Sequence, residues 1–170
     1  ITSGIVTSGA HVTAAIDSKR RDAIRRNHSS AHLLQTALRT VLGNHVEQAG
    51  SYVDDERLRF DFKHFQAMTT DEIRQVESII NDEILKGDNI SVVETDMDNA
   101  VSMGAIALFG EKYDDTVRVI KMGDFSCELC GGTHLDNTAK AGLFKIMSEN
   151  SVASGIRRIE ATTGYGVLDI

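Results

Sequence analysis

Two pairs of side chains able to hold a metal each stand four positions apart: His28 and His32 in H-S-S-A-H, and Cys130 and His134 in C-E-L-C-G-G-T-H. On a helix, positions i and i+4 project from one face, so the two imidazoles can reach a single ion. Around Cys130, Gly131 and Gly132 permit a tight turn that bulkier residues resist. A thiolate with imidazoles suits Zn²⁺, and two short-spaced pairs far apart in the chain would tie remote elements together through one ion. A rival set stays open, because Cys127 and Cys130 form a Cys-x-x-Cys pair that could displace a histidine. The protease-type zinc motif is excluded, since it places glutamate directly after the first histidine and Ser29 stands there.

The elements that must position these groups can be read from periodicity. A helix is expected over residues 27–42, with Asn27 as N-cap, Leu34, Leu38 and Val41 as its apolar stripe, and Gly43 as its stop. At about 100° per residue, His28 and His32 lie nearly opposite that stripe and share their side with Gln35 and Arg39. Residues 46–53 and 58–62 read as a strand hairpin. A second helix is marked by the capping box of Thr69 and Glu72, with Ile73, Val76, Ile80 and Ile84 at helical spacing up to Gly87. A strand over 90–94, a short helix over 98–103 and a strand over 117–121 follow. A glycine-rich loop then leads to strands over 143–147 and 156–162. Helices mixed with antiparallel hairpins, without βαβ alternation, make the class α+β. Residues 5–16 suggest one or two short strands, so residues 1–17 are expected to be the remnant of a preceding β subdomain and 18–170 the domain that carries the site. The chain opens on Ile1 with strand-like sequence, which suggests a fragment of a longer polypeptide.

Strand faces nominate further site residues. In a regular strand over 46–53, Gln48 is a polar amide on the face of Val46 and Tyr52, a candidate for orienting substrate or water. Near the end, Arg157 aligns with Ile159 and Ala161 and is the expected site residue, whereas Arg158 aligns with Glu160 and Thr162 and is the expected surface charge. Ser29, Ser30 and Thr133 are the hydroxyls nearest the ligand pairs.

Composition sets the frame around the site. Hydrophobic residues make up 41% and charged residues 25%, enough for one packed core. No apolar run is long enough to span a bilayer. A net charge of −7 argues against wrapping nucleic acid by bulk electrostatics and gives no reason to expect DNA. RNA contact would therefore be local, with the cluster Lys19, Arg20, Arg21, Arg25 and Arg26, and the pair Arg157 and Arg158, as the available cations. Two closely spaced cysteines fit a reducing, cytoplasmic setting.

The runs R-N-H-S-S-A-H-L-L, H-V-E-Q-A-G-S-Y-V, L-R-F-D-F, C-E-L-C-G-G-T-H and G-I-R-R-I-E-A-T-T-G, in this order over roughly residues 17–166, resemble the editing domain of bacterial-type alanyl-tRNA synthetases. The resemblance implies the zinc-binding second additional domain of threonyl- and alanyl-tRNA synthetases, with His28, His32, Cys130 and His134 as ligands. It implies hydrolysis of the ester joining serine or glycine to tRNA(Ala), contact with the acceptor end of that tRNA, a site role for Gln48, and attachment to the remainder of the synthetase, where ATP would bind. Two residues depart from the pattern: Ala31 stands where threonine is common, and Cys127 where a small polar residue is expected. A free-standing trans-editing deacylase, a threonyl-tRNA synthetase editing domain and a non-catalytic zinc-dependent RNA-binding module are the alternatives. Whether the zinc would be open or fully protein-ligated is not fixed by sequence, although the net positive charge left by one thiolate and neutral imidazoles favours an open position.

Overall fold

The structure, a computed structural model, describes residues 3–107 and 114–170. Helix α1 (Ser18–Leu42) opens on Asp17, whose side chain accepts from the Arg20 backbone N–H at 3.0 Å. It therefore starts nine residues before the expected Asn27 cap. Its first two turns are rich in lysine and arginine, good helix formers without an apolar stripe, so periodicity alone missed them. Asn27 is buried instead: its amide donates to the Asp54 carbonyl at 2.9 Å and its oxygen accepts from the Thr163 hydroxyl at 2.6 Å, tying α1 to the ends of two strands.

Strands β1 (Gln48–Val53) and β2 (Leu58–Lys63) form the expected hairpin, turned by Asp54, whose carboxylate accepts from the Glu56 and Arg57 N–H groups. Helix α2 (Thr70–Lys86) carries both hydrogen bonds of the Thr69–Glu72 capping box and ends on Gly87 in the left-handed region, as its sequence required. Then come β3 (Ile90–Asp96), helix α3 (Met97–Ser102), β4 (Thr116–Met122) and β5 (Ser126–Leu129), followed by a 3-10 turn (Thr138–Ala141), β6 (Phe144–Ala153), β7 (Ile156–Thr163) and a final 3-10 stretch (Gly164–Asp169). Strand β5 occupies part of the segment expected to be a glycine-rich loop. Its inward residues Ser126 and Glu128 are polar, so it lacks the alternation that marks a strand. Strand β6 runs past the expected stretch because its polar half is held by ladder pairing with β7 rather than by burial. Residues 5–16 form no strand: they are exposed, and no strand pairs with them among the described residues. Residues 1 and 2 of the expected leading segment lie outside the described residues.

Among the described residues the named strands pair antiparallel, in a four-stranded sheet of order β1-β2-β7-β6 and a three-stranded sheet of order β3-β4-β5, with one parallel bridge from Ile106 to Glu128 of β5. The α+β expectation holds. Phe60, Phe62, Leu58 and Ile159 pack under α1 and α2 with Leu33, Leu34, Leu38 and Ile80 to form the main core. A smaller core of Ala100, Val117, Val119 and Leu129 sits between α3 and the small sheet. Helix α1 contacts both sheets, so its middle, from Asn27 to Leu38, is buried around most of its circumference. One side meets the apolar core, and the other carries the histidines toward β5.

Candidate metal centre

Helix α1 sets His28 and His32 one turn apart, about 6 Å along the axis. Strand β5 approaches from across the fold. By its period of two, Ser126, Glu128 and Cys130 face α1 while Cys127 faces away, into the small core beside Val117 and Val119. The chain then turns through Gly131 and Gly132 to bring His134 back. Two arginines pin this turn by its backbone. Arg118 on β4 donates from one nitrogen to the carbonyls of Cys130 at 2.9 Å and Gly132 at 2.6 Å, and Arg25 on α1 donates to the His134 carbonyl at 2.6 Å.

The result is convergence of one ligand atom each from His28, His32, Cys130 and His134, all within 4.8 Å of one another. Cys130 Sγ lies 3.5 Å from His28 Nε2 and 3.4 Å from His134 Nε2. A tetrahedral zinc with bonds of about 2.0–2.3 Å has ligand–ligand edges of about 3.5 Å, so the donor set fits the ion in kind and in spacing. The three imidazoles are also oriented for it. Nδ1 of His28 is 3.3 Å from the Thr133 carbonyl, Nδ1 of His32 is 2.6 Å from Glu128 Oε2, and Nδ1 of His134 is 3.2 Å from Ser29 Oγ. A carbonyl only accepts, so His28 must donate from Nδ1 and present a bare Nε2. Each ring has its Nδ1 occupied by the protein and its other nitrogen available to the centre.

Electrostatics point the same way at Cys130 and His134. Burial would raise the Cys130 thiol, but hydrogen bonds from His134, His28 and His32 outweigh it and bring the group down to about 3, a thiolate at neutral pH. Burial pushes His134 down to about 4, leaving a neutral imidazole with a free lone pair. Burial also opposes charge on His32, yet the Glu128 carboxylate and the Cys130 thiolate overcome it and hold this ring up at about 10, so it keeps both protons at neutral pH until an ion displaces the one on Nε2. Cys127 behaves differently: burial raises its thiol, and it stands outside the cluster. The Cys-x-x-Cys alternative fails on geometry, since two residues three apart on an extended segment point to opposite faces.

A cleft of 480 Å³ opens beside the cluster, walled by His28, Ala31 and His32 of α1, Gln48, Ser51 and Val53 of β1, and the segments 114, 116–118 and 128–131. Gln48 thus reaches the cluster's cleft, though not by the expected alternation. A bulge between Gln48 and Gly50 shifts the strand's phase, so Gln48 shares the cleft with Ser51, whose hydroxyl accepts from its amide at 3.4 Å, while Tyr52 is half exposed and stacks under Arg59. Other sequence candidates fall elsewhere. Ser29 is buried and engaged by His134 and the Leu135 N–H, and Ser30 is buried with no hydrogen-bond partner for its hydroxyl among the described residues. Thr133 is exposed and meets the site through its carbonyl. Arg157 is gripped by both carboxylate oxygens of Glu149, and Arg158 by both of Asp61 at 2.7 Å. Neither arginine lines the cleft. Arg157 does lie on the core-facing side with Ile159, but β7 is two strands in from β1, roughly 10 Å across the sheet. Facing the core is therefore not facing the cleft. Sequence reasoning missed Glu128 and Arg118. The first could have been found from its position two before Cys130 once β5 was drawn as a strand. The second is held to backbone oxygens among the described residues and leaves no spacing signal.

Comparison with known proteins adds a lineage to this geometry. The model of the threonyl and alanyl tRNA synthetase second additional domain matches residues 117–160, which include Cys130 and His134. The alanine–tRNA ligase of Acetivibrio thermocellus is 58% identical over 168 residues, 99% of this chain and 19% of the relative. That of Desulforamulus reducens is 56% identical over the same shares, and that of Staphylococcus aureus is 56% identical over 161 residues, 95% of this chain and 18% of the relative. The chain therefore spans about a fifth of the length of the curated relatives it matches. No described helix is long and apolar enough to cross a membrane.

Proposed function

We propose, from the premise that the chain is of the alanyl-tRNA synthetase type and carries the second additional domain, that it is a hydrolytic editing module. It would cleave the ester between a wrong amino acid, serine or glycine, and the acceptor end of tRNA(Ala), as part of a synthetase. The observation that carries this reading is the metal-ready cluster set in the wall of a 480 Å³ cleft that Gln48 and Ser51 also face. A pocket shaped for alanine discriminates against a substrate differing by one small group by only about 1–3 kcal/mol, so a second, hydrolytic site is needed to remove what leaks through.

Zinc held by His28, His32, Cys130 and His134 would lock the Cys130–His134 turn against α1 and so fix the wall of the cleft. Four converging protein donors favour a closed tetrahedron over the open position that charge alone suggested. Orientation of the ester and of the attacking water then falls to the chain's own polar groups. Gln48 offers a donor and an acceptor at the end of one side chain, and its bond to Ser51 is long enough to exchange for a substrate hydroxyl. Ala31, small and on the cleft wall, leaves room for the amino-acid side chain.

The direct test is deacylation of seryl- and glycyl-tRNA(Ala) by the purified chain, with and without a chelator. Hydrolysis that is abolished by chelation and restored by zinc is the expected result. Binding of tRNA with no hydrolysis under any condition would leave a non-catalytic RNA-binding module. Selectivity provides a second test. Gln48→Ala should keep its zinc but lose preference for seryl- over alanyl-tRNA(Ala) by about 5- to 150-fold, the equivalent of one unmet hydrogen bond of about 1–3 kcal/mol. An unchanged rate ratio would make Gln48 a structural amide.

A further inference from the structure

Among the three groups that hold the imidazole Nδ1 atoms, only one carries charge. Thr133 contributes a backbone carbonyl and Ser29 a hydroxyl, but His32 meets the carboxylate of Glu128 at 2.6 Å, the shortest of the three contacts. Glu128 is 6% exposed, and its other oxygen accepts from the Ser126 hydroxyl at 3.4 Å. A buried carboxylate is costly unless it is paired, and a buried ion needs anionic charge close by. We infer that Glu128 is a positioning residue of the metal site, holding His32 by Nδ1 so that Nε2 faces the other three donors and supplying the second negative charge that a divalent ion needs there.

The charge count makes the assignment specific. One thiolate against a divalent ion leaves a net positive centre, whereas Cys130 and Glu128 together balance it. A metal-bound imidazole that donates to a carboxylate is also a stronger ligand than one that donates to a neutral group. The other functions open to Glu128 are weaker. Its carboxylate borders the cleft, but both oxygens are engaged inside the protein, so it is not free to take a proton from water. A purely structural ion pair would hold β5 to α1 whether or not a metal were present. The inference rests on the reading of the four donors as a metal site and is independent of hydrolysis.

The test is zinc affinity of the full chain, measured by competition with a chromophoric chelator, together with the visible absorption of the cobalt-substituted protein. The variants are Glu128→Gln, Glu128→Ala and Ser29→Ala, with circular dichroism to confirm the fold of each. Glu128→Ala should weaken zinc binding toward the upper end of a 10- to 100-fold range and shift the cobalt bands. Glu128→Gln, which can still accept from Nδ1 but has no charge, should fall toward the lower end. Ser29→Ala, losing a neutral partner, should cost less than either. Should Glu128→Ala fail to fold, the near-isosteric glutamine variant carries the test alone. Wild-type affinity and an unchanged cobalt spectrum in a folded Glu128→Gln protein would overturn the inference. A parent chain that binds neither metal would overturn the metal reading itself, a separate and recognisable outcome.

Discussion

Cys130→Ala should abolish stable zinc binding and deacylation together, while Cys127→Ala leaves both near the parent level. Cys130 is the one sulfur in the donor set, 3.4–3.5 Å from two ligand nitrogens, and its neighbours already hold it as a thiolate. Loss of an outer partner of a ligand costs about 10- to 100-fold in affinity, so loss of the ligand itself should cost about 100-fold or more. Cys127 sits in the small core with its thiol protonated, and trimming it to alanine should cost about 1 kcal/mol of stability. Elemental analysis and deacylation rates on the two variants check the ranking. The reverse order would revive the Cys-x-x-Cys site.

Gly132→Ala should be nearly as damaging to the metal, and for a steric reason alone. A Cβ there would lie 2.1 Å from His28 Cε1 and 2.7 Å from its Nδ1, inside any tolerable contact. The backbone at Gly132 is not in the left-handed region, so alanine is compatible with its dihedrals and the clash is with the ring. The imidazole can swing away, which relieves the fold but withdraws a ligand. The expected result is a thermal transition without metal close to the parent's and a zinc affinity reduced about 100-fold. Gly131 gives the internal control, since a Cβ there meets nothing within 4 Å, and Gly131→Ala should bind zinc normally. Equal behaviour of the two variants in a chelator competition would show that the turn, rather than the approach to His28, is what glycine provides.

The parts of this molecule that were legible in its sequence are those whose cause is local. The Thr69–Glu72 box works through side chains three residues apart, and the His28–His32 and Cys130–His134 pairs each lie within a single turn of chain. The parts that were not legible depend on contacts made elsewhere. The start of α1 rests on one aspartate and on propensity without a stripe, and β5 is a strand because β4 pairs with it, not because its residues alternate. The nomination of Gln48 rested on an incorrect premise: regular alternation would have put it with Tyr52, and the bulge at Ala49 is what turns it toward Ser51 and the cleft. For Arg157, the strand period gave the core-facing side but no depth, and depth decides that it pairs with Glu149 and does not line the cleft.

The separation of the two ligand pairs also bears on the order in which the protein can be completed. His28 and Cys130 stand 102 positions apart, and their meeting closes a loop through both sheets. At a synthesis rate of about 5–20 residues per second, the histidines wait roughly 5–20 s on a nascent chain before their cysteine exists. Helix α1 and the β1–β2 hairpin can be made in that interval, but the ion cannot be captured by its full set of donors. Capture by all four donors therefore has to wait for the synthesis of His134, and it fastens two segments that the contact of β5 with α1 brings together.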